Sequence, residues 1–277
     1  MRLSLKETDR DLDLKVLSLG AGVQSSTVLL KMLNDEIPKA DIAIFADTGN
    51  EPKAVYEYLE YLKKLSINKI PIYTAHKSNI VKDALSEESK GTNKGFLTMP
   101  VYGRKPDGKK TMGRRQCTSD YKIRPIHKKI REVMGIKSLK GRVIEISMGI
   151  STDEIQRAKR PTFQWAINYY PLLELDMSRD DCKQYVKQNK TKQPPRSACI
   201  VCPYHSNEEW SDMKENYPEE FNEAVAFDRA IRDIDSSGVK NYLHSSLIPL
   251  EDVNFKDKVD IYSGSLFDDE CEGMCGV

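Results

Sequence analysis

A chain of 277 residues is long enough for one large domain or for a core with an accessory lobe. With 39% hydrophobic and 31% charged residues it has a globular composition, and a formal net charge of +1 supplies no global field to draw in nucleic acid, so any anion site must be local. No apolar run approaches the roughly 20 residues a helix needs to span a bilayer.

Residues 1–10 lack the apolar core of a signal peptide, so the sequence predicts a cytoplasmic protein whose thiols stay reduced. Its six cysteines then read as ligands, nucleophiles or core fillers rather than as three disulfides. Val16-Leu17-Ser18-Leu19 is a short apolar run that ends in glycines, and the spacing of Val28, Leu29, Met32 and Leu33 predicts a helix over residues 26–33. Residues 41–46 form a second strand-like run. A helix is predicted over 53–65, with Val55, Leu59 and Leu62 on one face, and a weaker strand over 69–73. Strand, helix, strand, helix, strand at this spacing implies a right-handed parallel α/β sheet.

Residues 77–114 are polar and rich in Gly, Lys and Ser, the pattern of a long mobile insertion. A helix is predicted over 121–133 and a fourth strand over 142–149. Residues 169–173 read as an edge strand, because Pro171 removes a ladder donor. Ser178 is the expected cap of a helix running to Gln188, with Asp180 and Asp181 in its first turn. Two further helices are expected over 207–215 and 218–234. The organisation predicted is a nucleotide-binding α/β core over 1–177 carrying the insertion. A C-terminal helical, cysteine-bearing segment with a mobile tail follows over 178–277.

Chemistry concentrates at two places. Ser18-Leu19-Gly20-Ala21-Gly22-Val23-Gln24-Ser25-Ser26-Thr27 has the make-up of a phosphate cradle. Glycines let the backbone approach an oxyanion, and the N–H groups at the start of the next helix point at it. The Walker pattern fails, since no Gly-Lys-Ser/Thr follows. The dinucleotide pattern is nearly met by Gly20, Gly22 and Ser25, with Asp47 near the place of a ribose-binding carboxylate. Cys199-Ile200-Val201-Cys202-Pro203 places two soft ligands at metal-binding spacing, which suits iron–sulfur or zinc equally. Arg114, Arg115, Lys122 and Arg124 cluster around Cys117. Arg157, Lys159 and Arg160 follow the fourth strand, and guanidinium groups suit bidentate phosphate or sulfate contact. Asp153 and Glu154 are candidate carboxylates for metal or substrate, or helix caps. Cys182 sits on a helix face and reads as core, and His205 is the one histidine placed near the cysteine pair.

Ser18-x-Gly20-x-Gly22-x-x-Ser25 followed by a helix resembles the PP-loop of adenine-nucleotide α-hydrolase-like enzymes. Within them, Phe45-Ala46-Asp47-Thr48-Gly49-Asn50-Glu51 resembles the Asp-Thr-Gly segment of the sulfonucleotide (PAPS/APS) reductase family. Residues 115–125 (RQCTSDYKIRP) are similar to that family's Cys-Cys-x-x-x-Lys-x-x-Pro stretch. Residues 147–154, with Gly149, occupy its post-strand turn, and Cys199-x-x-Cys202 follows in the same order. The sequence departs from the family where Cys117-Thr118 replaces paired cysteines. Gln24 stands where many ATP pyrophosphatase relatives carry Asp, and the tail reads Glu270-Cys271-Glu272-Gly273-Met274-Cys275. It resembles phage and bacterial reductase-like proteins of unassigned substrate more than a housekeeping reductase.

The resemblance implies a three-layer, mostly parallel twisted sheet with helices on both faces, plus a C-terminal helical and irregular segment. It implies ATP or a sulfated adenine nucleotide (PAPS or APS) bound by Ser18, Gly20, Gly22, Gln24, Ser25, Ser26, Thr27, Asp47, Gly149, Arg115, Lys122 and Arg157, with Mg²⁺ as an accessory. A 4Fe–4S cluster, with zinc as the alternative, would take Cys117, Cys199 and Cys202, and Cys275 as a closing ligand. Cys271 and Asp47 are the catalytic candidates. The first activity implied is ATP pyrophosphatase-type activation followed by sulfur transfer to an acceptor, tRNA or DNA. The alternatives are sulfonucleotide reduction by a tail cysteine with a thioredoxin-like or sulfur-donor protein, and nucleotide binding without turnover. A homodimer is compatible with either enzyme.

Overall fold

The computed structural model describes residues 1–4, 11–86, 97–234 and 237–256. Strands β1 (Arg2–Ser4), β2 (Leu14–Leu19), β3 (Ile42–Asp47) and β4 (Ile72–His76) join β7 (Ile144–Met148) and β8 (Ala166–Tyr169) in one sheet of order β1-β8-β7-β2-β3-β4. All neighbours are parallel except β1, which runs antiparallel to β8. Strand β3 carries apolar side chains in succession because both faces of the sheet are covered. Val16, Ile42, Ile44 and Ile146 point into one core, and Leu17, Ala43 and Phe45 into the other. The period of two sends neighbours to opposite faces.

Helix α1 (Val23–Leu33) and helix α2 (Lys53–Leu65) cover the face of Leu17, Ala43 and Phe45, and α4 (Arg124–Met134) covers the face of Val16, Ile42, Ile44 and Ile146 through Ile126 and Ile130. Every residue of α1 is buried, including Gln24, Ser25, Ser26, Thr27 and Lys31. It lies between the sheet and α6 (Arg179–Gln188), where Cys182 is fully buried as expected and accepts a hydrogen bond on its carbonyl from Thr27 Oγ1 at 3.3 Å. Ser178 caps α6 in a reciprocal capping box with Asp181, as the sequence predicts.

The chain departs from expectation at several elements. Residues 169–173 are not an edge strand. β8 ends at Tyr169 inside the sheet, and Pro171 opens the one-turn helix α5 (Pro171–Glu174), where its missing N–H costs nothing. The true edge is β1, a three-residue strand with no periodic signal. The weak third strand lies at Ile72–His76, later than expected. The helix predicted over 121–133 is preceded by a π-helical turn, Thr118–Ile123, that brings Lys122 inward. The polar insertion is structured in part. It contributes α3 (Ile80–Ala84), β5 (Tyr102–Arg104) and β6 (Lys110–Met112), while residues 87–96 lie outside the described residues. Strand β5 pairs with both β6 and the late strand β9 (Lys240–Tyr242), so the insertion is tied into the C-terminal lobe. That lobe is built on α7 (Asn207–Asn216) and α8 (Pro218–Ala230). Its core gathers Trp210, Phe221, Phe227, Leu243 and Tyr121. Among the described residues no helix is long and apolar enough to cross a membrane.

Two buried histidines outside the sheet are held neutral. His127 on α4 packs edge-on against Phe163 and Trp165, and burial pushes its pKa down to about 4. His244 sits between Asn207 Oδ1 and Ser246 Oγ, and burial lowers it to about 4 as well. Above an ordinary imidazole pKa near 6.5 both states are neutral. As pH falls from 6.5 toward 4, only the unfolded chain takes up these protons, so stability falls by up to about 1.4 kcal/mol per pH unit per histidine. His127→Phe is expected to flatten this acid slope in denaturant titrations; an unchanged slope contradicts the assignment.

Candidate functional site

The carboxyl ends of parallel strands are where open α/β sheets bind ligands, and the predicted residues converge there. Between β2 and α1 the chain turns through Gly20, Ala21 and Gly22, with Ala21 at φ +58° and Gly22 as the extended N-cap of α1. Ser25 Oγ accepts from Gly20 N at 3.1 Å and donates to Gly22 O at 3.3 Å, which braces the loop. Ser197 Oγ donates to Gly20 O from across the loop. The Thr27 hydroxyl donates to Val23 O at 2.8 Å within the helix, and Ser26 is fully buried, so neither stands at the loop's open side. A pocket at this end of the sheet is lined by Ser18, Gly20, Glu51, Lys122 and Ser197.

Gly149 closes the loop from behind. A Cβ there would lie 2.6 Å from Ser25 N and 2.8 Å from the Gln24 carbonyl carbon, so only glycine lets the β7 end and the loop backbone approach so closely. Gln24 Nε2 donates to Ser151 Oγ (2.9 Å) and Glu154 Oε2 (3.0 Å), while Arg157 pairs with Glu154 Oε1 at 2.7 Å. Gln24 and Arg157 therefore stiffen the wall behind the loop, and Glu154 is their shared acceptor. Gln24→Ala is expected to cost about 1–3 kcal/mol, because it strips the partly buried Glu154 carboxylate of a donor. Chemical denaturation reads this directly, and no loss contradicts the network.

Asp47 ends β3. Its Oδ1 accepts from Gly49 N (2.7 Å) and Tyr56 Oη (2.8 Å), and its Oδ2 lies 3.6 Å from His76 Nδ1. Burial first, and then this carboxylate, push the Tyr56 phenol well above its ordinary pKa and keep it a donor. The turn after Asp47 is a clamp for the cysteine pair. Asn50 O accepts from Ile200 N at 2.9 Å, and Asn50 Oδ1 from Val201 N at 3.2 Å. Thr48 Oγ1 lies 3.2 Å from Cys199 Sγ and donates to Glu51 Oε1 at 2.9 Å. Gly49, at φ +74°, lies against Asn79, which caps α3.

Cys117, Cys199 and Cys202 line one cavity of about 410 Å³, counting its solvent-filled mouth, together with Thr48, Arg115, Lys122 and Tyr204. The structure thus places three of the four predicted ligands on one cavity, with Cys117 more than 80 residues ahead of the Cys199 and Cys202 pair. Cys271 and Cys275 lie outside the described residues. Among the described residues no three His, Cys, Asp or Glu side chains meet as a group able to hold a metal ion. Arg115 stacks over the Tyr204 ring at 5.4 Å. Burial raises the Tyr204 phenol to about 12. His205 is not a ligand in this arrangement. Its Nε2 meets Cys199 O at 3.0 Å, and burial drives its pKa down to about 3, so the neutral ring supports the cysteine turn.

Lys122 lines both the phosphate-loop pocket and the cysteine cavity and is 5% exposed. Sequence reasoning missed Ser197, Asn50 and Glu51 as site residues. Ser197 stands in an unpatterned loop with no signal, whereas Asn50 and Glu51 sit inside the Asp-Thr-Gly segment and were open to notice.

A scan of family models matches residues 15–195 to the phosphoadenosine phosphosulfate reductase domain, more than half of the chain. Eleven solved chains match. One is the crystal structure of phosphoadenylyl-sulfate (PAPS) reductase from Candida auris in a phosphate complex. It is 13% identical, with 65% of this chain and 74% of that chain covered and a TM-score of 0.39. No curated protein matches the chain.

Proposed function

The chain belongs to the phosphoadenosine phosphosulfate reductase domain family, and from that premise we propose that it is an enzyme of the sulfonucleotide reductase type. In this reading residues 18–25 hold the nucleotide's phosphate end, and the sulfur chemistry takes place at the cavity of Cys117, Cys199 and Cys202. The observation that carries the reading is Lys122, one buried cation that walls both compartments. A sulfonucleotide is an anhydride of phosphate and sulfate, so its two anionic ends need a phosphate site and a sulfur site in contact, with a cation between.

The N–H groups at the start of α1 and the Lys122 ammonium hold the anhydride, and the ammonium offsets charge that builds up on the leaving phosphate. Asp47 holds the turn that presents Thr48 and Asn50, and it is a candidate Mg²⁺ ligand through Oδ2. A tail thiolate, Cys271 by family resemblance, attacks the sulfur. The S–O bond to the nucleotide breaks, the nucleotide leaves with that electron pair, and a cysteine S-sulfonate forms. A dithiol of thioredoxin type then displaces sulfite and ends as a disulfide, so the two electrons gained by sulfur come from two thiols.

Three thiols around one cavity fit a cluster, which spreads its ligands over several iron atoms, better than a zinc ion, which needs them to meet at about 2.3 Å from one point. Cys117, Cys199 and Cys202 would hold it, with Cys275 as the fourth ligand. When bound, it would supply a redox-active, charged centre beside the sulfur site.

The test is product analysis on anaerobically purified protein with a dithiol reductant. Sulfite release from PAPS or APS is expected. Pyrophosphate from ATP with no sulfite from either sulfonucleotide overturns the reading in favour of ATP-activated sulfur transfer to an acceptor. Iron and sulfide content, compared with Cys199→Ala, tests the cluster separately.

A further inference from the structure

A second cavity, of about 720 Å³ counting its open mouth, shares no lining residue with the cysteine cavity. One wall is the stretch that carries the cysteine pair, through Arg196, Ala198 and His205. The others are the start of α2 and the corner between α7 and α8. Its volume is that of a small-molecule site.

The charge of the cavity has one sign. Residues 208–223, which form the α7–α8 corner, carry seven carboxylates against one cation, Lys214. Three of these carboxylates, Glu209, Asp212 and Glu220, line the cavity, and Arg196 is the one cationic side chain among the lining residues. Arg196 is used within the protein: it pairs with Glu209 and donates to Tyr204 O at 3.3 Å. Asp212 accepts from Asn216 Nδ2 at 2.7 Å and Glu220 from Lys53 N at 2.9 Å, both neutral donors, and neither carboxylate pairs with a cation among the described residues. Two negative charges are left uncompensated. Ala54, Pro195 and Met213 supply apolar surface, and the exposed Tyr217 supplies an aromatic ring, whose face attracts cations.

A buried acceptor in the same wall lacks a donor. The His205 ring is 4% exposed and is fixed edge-on against Trp210, with centroids 4.6 Å apart. Its Nε2 faces Cys199 O at 3.0 Å, and a carbonyl only accepts, so Nε2 carries the hydrogen and Nδ1 of the neutral ring is a bare lone pair. Nδ1 has no hydrogen-bond partner among the described residues. It lies 3.9 Å from Glu209 Oε2, a second acceptor, which takes Ser206 N at 2.7 Å and keeps lone-pair capacity. Two acceptors at that separation leave room for one N–H-bearing group at hydrogen-bond distance from both. A buried polar atom without a partner is costly, and a ligand donor removes that cost.

We propose that this cavity binds a small organic cation, a primary amine or amidine on an apolar body. Its N–H groups meet His205 Nδ1 and Glu209, Asp212 and Glu220 supply the countercharge, and the body lies on the apolar wall. The occupant touches the back of the ring that holds Cys199 O, so the site is joined to the cysteine turn through one side chain. The proposal goes beyond the reductase reading and does not rest on it.

The test is calorimetric titration of the full-length protein with benzylamine and benzamidine, and with benzyl alcohol and benzoate as neutral and anionic counterparts of the same size. Both cations are expected to bind with a Kd of ~1 mM or tighter, the range open to so small a ligand. The alcohol and the carboxylate are expected to bind at least about tenfold more weakly, as is benzylamine to D212N/E220Q, because charge-assisted contacts are lost. Thermal unfolding of the variant at the wild-type midpoint shows that its fold is intact. In protein labelled with ¹⁵N-histidine, benzylamine should shift the His205 Nδ1 resonance, the signature of a lone pair that has gained a donor. Equal binding of benzyl alcohol makes the cavity an apolar cleft only and overturns the proposal. So does unchanged benzylamine affinity in the intact variant, an unmoved Nδ1 resonance at saturation, or no binding of either cation at about 10 mM.

Discussion

Lys122→Met is expected to lower sulfonucleotide turnover by about 10²–10³-fold, the size of effect seen when one preorganised group that stabilises developing charge is removed. Methionine keeps the volume of the side chain and deletes its charge. Because Lys122 is almost wholly buried and lines both the phosphate-loop pocket and the cysteine cavity, the loss should fall on both substrate affinity and rate. The π-helical turn Thr118–Ile123 brings the residue to this place. Such turns recur at functional sites because they re-aim side chains that a regular helix would misplace. Turnover measured beside thermal unfolding separates the chemical effect from a folding defect. A variant that turns over at the wild-type rate would mean that the two compartments work independently.

Gly149→Ala is expected to be nearly as damaging by a different route. The added methyl would meet backbone atoms, Ser25 N at 2.6 Å and Ser25 Cα at 2.8 Å, and backbone cannot rotate aside as a side chain can. Overpacking of this kind costs about 1–3 kcal/mol, and each kcal/mol lowers the midpoint of a domain this size by roughly 2–4 °C. Relief comes only if the phosphate loop shifts, so nucleotide affinity should fall further than stability does. Calorimetric unfolding with and without adenine nucleotide measures both. Full nucleotide-dependent stabilisation in the variant would rule out the loop as the anion site.

The sheet was legible because its signal is local. Residues 42–45 are a continuous apolar run and 16–19 is broken only by Ser18, the mark of strands buried on both faces, while 144–148 keeps Ile144, Ile146 and Met148 in alternation with Glu145 and Ser147. The loop was legible because glycines between such a run and a helix have few other uses. The edge strand β1 and the pairing of β5 with β9 were not, since three-residue strands carry no periodicity and β9 lies more than 130 residues from its partner. Pro171 misled because the same missing N–H that suits a strand edge also suits the first turn of a helix. For the site, the order Asp47, Cys117, Cys199 pointed to one centre, and Cys117 and Cys199 line one cavity with Lys122 and with Thr48, the residue after Asp47. What the spacing did not reveal is the use of each group. Arg157 and Gln24 support the loop through Glu154, and Ser197 reaches Gly20 from a loop without pattern.

The central claim is that the nucleotide site and the cysteine cavity are one site. Its most direct test is mass-spectrometric mapping of thiol alkylation in anaerobic, metal-free protein with and without a saturating adenine sulfonucleotide. Bound nucleotide is expected to protect Cys117, Cys199 and Cys202 in wild type, and much less in Lys122→Met. Equal alkylation of the three cysteines while nucleotide is demonstrably bound would contradict the account.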